Sequence, residues 1–217
     1  MSGNAAPPVH LVNGVRRFRE QVYPGMTDLF STLREGQAPQ VLFITCSDSR
    51  VDPSLITQTS PGELFIIRNA GNLIPPAGVN DTGEVATLEY AVVALGVQHI
   101  VVCGHSGCGA MSGLLNPSSL AQLPKVRRWL RHAETTRQLV SLDNTPAGDA
   151  ERLQLAVHCN VRAQLDQLRS HHFVAERERA GALQLHGWVY DIGAGEVTAY
   201  NPETRAFEPL MRRQMAS

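Results

Sequence analysis

Three apolar runs set the rhythm of the chain. Val41-Leu-Phe-Ile-Thr45, Glu63-Leu-Phe-Ile-Ile-Arg68 and Ile100-Val-Val-Cys103 each predict a strand, the first, β-branched and aromatic, a buried one. Between them the pattern becomes helical. Asp52-Pro53 reads as the N-cap and first position of a short helix that ends before Ser60-Pro-Gly62. Asp81 or Thr82 can cap a second helix running through Leu88, Tyr90, Ala91 and Leu95 to Gly96. Strands alternating with helices make a parallel sheet the economical arrangement.

The flanks extend this picture. Leu11, Val15, Phe18 and Val22 form a helical stripe, and Met26, Leu29, Phe30 and Leu33 a second one after Pro24-Gly25. They predict a helical arm over residues 9–36, able to pack on its own domain or to reach another subunit. Residues 107–170 read mostly as helix, broken at Asn116-Pro117, at Pro124 and over 143–148. Near the end, Ala182–Tyr190 and Glu196–Tyr200 are strands separated by residues 191–195, a hairpin added to the sheet. The expected fold is α/β: a mostly parallel central β-sheet flanked by helices, with an N-terminal helical arm and a C-terminal hairpin. It occupies a single domain, 9–217, after a disordered N-terminus, 1–8.

Polar residues follow two of the strands at once, where open α/β sheets place their sites. The first strand runs into Cys46-Ser-Asp-Ser-Arg50 and the third into Gly104-His-Ser-Gly-Cys-Gly109. If extended backbone continues past Thr45, side chains 46, 48 and 50 share one face. His105 and Cys108 can converge on one ion if their turn opens a helix. Cys46, His105 and Cys108 make the ligand set of a catalytic zinc with one open position, filled by water or by Asp48. Arg50 can hold Asp48 off the metal through a bidentate pair, leaving one carboxylate oxygen to orient a zinc-bound hydroxide. A structural zinc would show four soft ligands in close pairs, and no Cys-x-x-Cys suggests a redox couple. Cys103 and Cys159 are read as small buried hydrophobes.

Composition narrows the class. The chain has 217 residues with 19 basic and 20 acidic side chains, so no charge excess argues for nucleic acid or an anionic membrane. It also has no apolar run of the roughly 20 residues that a membrane span needs, and Met1–Pro8 lacks the basic and apolar regions of a signal peptide. The expected compartment is the cytoplasm. Four cysteines in a chain this long are not a disulfide framework.

Taken together, Cys46-Ser-Asp-Ser-Arg50 and Gly104-His-Ser-Gly-Cys108 resemble the β-class carbonic anhydrases. The likeness runs over roughly residues 10–208, including Pro61-Gly-Glu-Leu-Phe65, Arg68-Asn-Ala-Gly-Asn72, Glu89-Tyr90 and His186-Gly-Trp-Val-Tyr190. The pattern is similar to the plant-like bacterial branch, which includes the enzymes of cyanate operons and of carboxysomes. The resemblance implies reversible hydration of CO2 to bicarbonate and a proton on one Zn2+ per subunit, with Cys46, His105 and Cys108 as ligands and Asp48 with Arg50 as the orienting dyad. It also implies that Gln37, from a partner subunit, Phe65 and Tyr90 line the substrate pocket. On their own, Gln37 reads as a loop residue and Phe65 as core. A homodimer embracing through its N-terminal helices is implied, assembling to a tetramer or octamer, in the cytoplasm or within a carboxysome.

A second branch of that family traps the aspartate on zinc with a bicarbonate bound by a tryptophan, an arginine and a tyrosine. Here Phe43 stands at the tryptophan's position beside Arg68 and Tyr190, so the indole donor is missing and an open site at neutral pH is expected. The same ligands would also serve a carbonyl sulfide or carbon disulfide hydrolase. A zinc-holding scaffold would have no use for Asp48, Arg50 and Gln37.

Overall fold

The computed structural model describes residues 7–79, 82–143 and 148–210. They fall into two compact units, the first ending at Gln37 and the second beginning at Ala38. The first carries α1 (Val9–Arg17), a π-helical turn (Phe18–Val22), a 3-10 turn through Pro24 and α2 (Thr27–Arg34). Inside this unit Tyr23 packs with Phe18 and Phe30, ring centroids 6.0 and 5.2 Å away. No residue of α1 is buried, and Val9, Leu11, Val15 and Phe18 stand exposed. The apolar stripe read in the sequence is therefore real and uncovered within its own unit. Pro7 and Pro8 are irregular, and residues 1–6 of the expected disordered N-terminus lie outside the described residues.

The second unit is built on β1 (Val41–Cys46), α3 (Pro53–Thr57), β2 (Leu64–Asn69), α4 (Gly83–Glu89) and β3 (His99–His105). After these come α5 (Gly109–Leu115), α6 (Pro124–Trp129), α7 (Glu134–Leu142), α8 (Asp149–Ser170) and α9 (His172–Arg179). It closes with β4 (Gln184–Asp191), β5 (Glu196–Asn201) and β6 (Ala206–Pro209). The six strands are ordered β2-β1-β3-β4-β5-β6, the first four parallel and the last two antiparallel. The hairpin expected at the C-terminus thus gains a third strand. Asp52 caps α3 by accepting from the Leu55 amide, and Thr82 caps α4 by accepting from the Val85 amide. Asp81, the alternative cap, lies outside the described residues.

Alternation along β1 and β3 sorts the core between two faces. Leu42, Ile44, Ile100 and Val102 join the large cluster beneath α8, whereas Phe43, Val101 and Cys103 form a small one with Trp188 and Tyr190 beside it. Helix α8 comes close because β3 and β4 present glycines to it. A Cβ at Gly104 would lie 2.9 Å from Val157 Cγ1, and one at Gly187 would lie 2.8 Å from Val161 Cγ1.

Since β1 sits between β2 and β3, the chain leaves its carboxyl end in one direction and returns on the other side. The crevice between the ends of β1 and β3 is the topological switch point of the sheet, the expected place for a site.

Candidate metal centre

Three donors meet in that crevice. Cys46 ends β1, His105 ends β3, and Cys108 is the residue before α5. Two residues separate the last two, and Gly107, at φ +65°, makes the tight reversal between them. The Sγ atoms and an imidazole nitrogen lie within 4.8 Å of one another, and all three residues are buried.

The histidine is prepared for a ligand. Its Nδ1 lies 3.0 Å from the Ser106 carbonyl oxygen, which can only accept, so in the neutral ring Nδ1 carries the hydrogen and Nε2 the lone pair. Nε2 is buried with no hydrogen-bond partner. An orphaned buried nitrogen between two sulfurs calls for an ion. The thiols point the same way. Donation from Cys108 holds Cys46 low, at about 4, helped by the Gly71 amide. The same bond and burial push Cys108 up, so the pair shares a proton that a cation would replace. The residues present fit a soft, tetrahedral metal with one position left over.

Asp48 and Arg50 stand next to this position. Arg50 Nε donates to Asp48 Oδ1 at 2.9 Å and its Nη2 to Oδ2 at 2.7 Å, while the Arg50 amide donates to Oδ1 at 3.0 Å. These bonds hold the Asp48 carboxyl well below the usual carboxylate range. A further donation from Arg50 Nη2 to the Gly107 carbonyl, at 3.2 Å, ties the dyad to the turn bearing the other two ligands.

The shared face has a different origin from the one expected. The strand stops at Cys46, and residues 49–50 form a turn in which the Val51 amide donates to the Asp48 carbonyl. A tight turn closed by the Asp48 side chain brings 48 and 50 together, rather than a continued strand.

Arg68, read in the sequence as part of a shared motif and beside Phe43 and Tyr190, holds backbone here. Its Nε donates to the Cys46 carbonyl at 3.1 Å and its Nη2 to the Asp48 carbonyl at 2.8 Å. Phe43 is buried, its ring edge-on to Trp188. Phe65 and Tyr90 pack against each other, ring centroids 6.0 Å apart, with Tyr90 half exposed. Gln37 is exposed at the end of the first unit. Burial pushes Cys103 up to about 12 and raises Cys159 also, as suits thiols that take no part in chemistry.

Comparison with known proteins agrees with this geometry. Residues 41–197 match the family described as carbonic anhydrase. A carbonic anhydrase of Synechococcus elongatus is 51% identical over 189 residues, covering 86% of this chain and 69% of the relative. The solved structure of the β-carbonic anhydrase CcaA superposes with a TM-score of 0.90 at 48% identity, covering 93% of this chain and 98% of that one. One of two tetrameric β-carbonic anhydrases from Sordaria macrospora gives 0.79 at 30% identity, covering 88% and 95%. With a matching family core, a half-identical relative and a Cys-His-Cys cluster at the switch point of the sheet, the chain belongs to the carbonic anhydrases, in their β class.

Proposed function

We propose that Cys46, His105 and Cys108 hold one zinc ion per subunit, and that the protein hydrates CO2 reversibly to bicarbonate and a proton. Zinc supplies a Lewis acid that brings the pKa of a bound water from 15.7 to about 7, somewhat higher beside two thiolates. The observation that carries the reading is the carboxylate beside the orphaned imidazole nitrogen: Asp48 Oδ2 lies 3.9 Å from His105 Nε2.

The chain's residues divide the work. Arg50 satisfies Oδ1 twice and Oδ2 once, so the remaining acceptor capacity of Oδ2 is available to take the O–H of the attacking water and aim its oxygen lone pair at carbon. Because the guanidinium grips both oxygens, Asp48 is restrained from becoming a fourth ligand. Phe65 and Tyr90 offer an apolar wall suited to a nonpolar gas, and Gln37 of a second subunit donates a hydrogen bond to CO2 or bicarbonate. The product proton leaves to buffer.

The uncovered stripe of α1 supports an assembly of at least two chains, each a single domain over 9–217 with its arm at 9–36. A tetramer or octamer of such dimers in the cytoplasm or a microcompartment completes the reading. No helix among the described residues is long and apolar enough to cross a membrane.

The test is stopped-flow CO2 hydration at about pH 7 and about pH 8.4 on protein whose zinc has been counted. Turnover at both, with zinc stoichiometric, is expected. Turnover confined to the higher pH would mean that Asp48 closes the site despite Phe43. Bound zinc with no CO2 hydration at either would overturn the reading.

A further inference from the structure

The loop after β2 approaches the metal centre with a single peptide group, and both ends of that peptide are engaged. The Gly71 amide donates to Cys46 Sγ at 3.5 Å, a contact length suited to the large sulfur atom. The carbonyl of the same peptide, on Ala70, accepts from the indole Nε1 of Trp129 at 2.8 Å. A trans peptide is planar, with its N–H and C=O pointing in opposite directions. Gripping the oxygen therefore aims the amide hydrogen.

The next peptide is held as firmly. Asn160 Nδ2 donates to the Gly71 carbonyl at 2.9 Å, and Asn160 Oδ1 accepts from Thr136 Oγ1 and Gln164 Nε2, both at 3.2 Å. Gln164 Oε1 in turn accepts from the Ile74 amide at 2.7 Å. Asn160, Gln164 and Thr136 are all buried, and each has its polar atoms committed to this chain of bonds. The loop has no room to retreat: Gly71 is at φ +86°, and a Cβ there would lie 3.1 Å from both Ala110 Cβ and Met111 Cε on α5. Helices α6 and α8 thus each direct a donor onto one short loop, with Thr136 of α7 bracing Asn160 from behind, and that loop's contact with the centre is an N–H on a ligand sulfur.

We infer that Trp129, supported by Asn160, is a positioning residue of the metal centre: its indole fixes the Ala70–Gly71 peptide so that the Gly71 N–H tempers the charge that Cys46 donates to the metal. An N–H on a thiolate withdraws electron density from it, so the bound metal remains a stronger Lewis acid than two unassisted thiolates would leave it. The inference rests on the zinc reading above, and its test separates the two.

The variant is Trp129→Phe, which keeps an aromatic ring on the side of His132 and removes the donor. Wild type and variant are loaded with Co2+, and the thiolate-to-cobalt charge-transfer band is recorded alongside the pH profile of the zinc forms. A wild-type band establishes thiolate ligation by itself, and its absence would sink the metal reading. Given that band, the variant is expected to hold the metal, to show the band at lower energy and to have its activity midpoint moved to higher pH by about half a unit. A variant with lowered thermal stability but an unmoved band and midpoint would make Trp129 merely structural and overturn the inference. Should Trp129→Phe fail to fold, the same two readings on Asn160→Ser, which shortens the donor to the Gly71 carbonyl, decide in the same way.

Discussion

Asp48 Oδ2 reaches to 3.9 Å from His105 Nε2 while the Asp48 carboxylate remains clamped by Arg50. A carboxylate gripped on both oxygens is restrained from turning onto a neighbouring cation. Asp48→Ala is expected to retain zinc and to lose about 10²–10³-fold in kcat/KM, the usual consequence of removing one group aimed at a reacting centre. Arg50→Lys, which keeps the charge but loses the fork, is expected to fall at least about tenfold. Metal analysis beside stopped-flow rates checks both, and unchanged rates in Asp48→Ala would remove it from the mechanism.

Removal of a ligand should act on the metal before it acts on the fold. His105→Ala and Cys108→Ala are expected to purify with far less than one zinc per chain, and chelation of the parent should lower its melting temperature. A ligand that binds only the folded state at 100 times its Kd adds about 2.7 kcal/mol. Stability indifferent to chelator would show that the centre is not coupled to folding.

The close seating of α8 predicts a sharp intolerance at two glycines. Gly187→Ala places a methyl 2.8 Å from Val161 Cγ1 and 3.2 Å from Leu165 Cδ1, and Gly104→Ala meets Val157 and Val161 at 2.9 Å. Each should cost about 1–3 kcal/mol by denaturant titration, the range for overpacking a filled interior. Alanine at Gly109, where a Cβ has open space, serves as the contrast.

Acid sensitivity should come in part from His158. Its ring stacks on Phe207 with centroids 4.3 Å apart, and burial pulls it below its ordinary value of 6.5. A histidine depressed in the fold binds fewer protons there than in the unfolded chain. Its contribution is therefore intact above about pH 6.5 and is lost as pH falls from there toward the depressed value. His158→Gln should show a shallower loss of stability between about pH 6.5 and 5 than the parent, and parallel curves would contradict this.

Much of this was legible in the sequence because it rests on local pattern. The strands containing Val41–Thr45 and Ile100–Cys103 announced themselves by composition, and their polar continuations carried every metal donor. The dyad was found for a partly wrong reason, since a two-residue turn does what strand periodicity was expected to do. Strand β6 was missed because Ala206–Pro209 is short and carries one large apolar side chain, leaving no alternation to read. The roles of Trp129 and Asn160 were beyond reach, since each acts on a loop far away in sequence and only the packed helices bring them there. Arg68 belongs with them, its sequence neighbours saying nothing of the two carbonyls it holds.

The strand order has a temporal side. Synthesis delivers Cys46 first and His105 and Cys108 much later, but β3, which carries His105, remains a sheet edge until β4 is made at residues 184–191. The Ser106 amide that begins the ligand turn bonds to the Tyr190 carbonyl, and the Ser106 hydroxyl accepts from the Ile192 amide, at the end of β4 and in the turn after it. A nascent chain therefore holds one thiol, then a loose second pair, and a rigid cage only once β4 and the turn after it have emerged. Domains fold as units while they emerge, so a metal should enter after β4 has docked beside β3, as a seal on a paired sheet rather than a nucleus around which it forms.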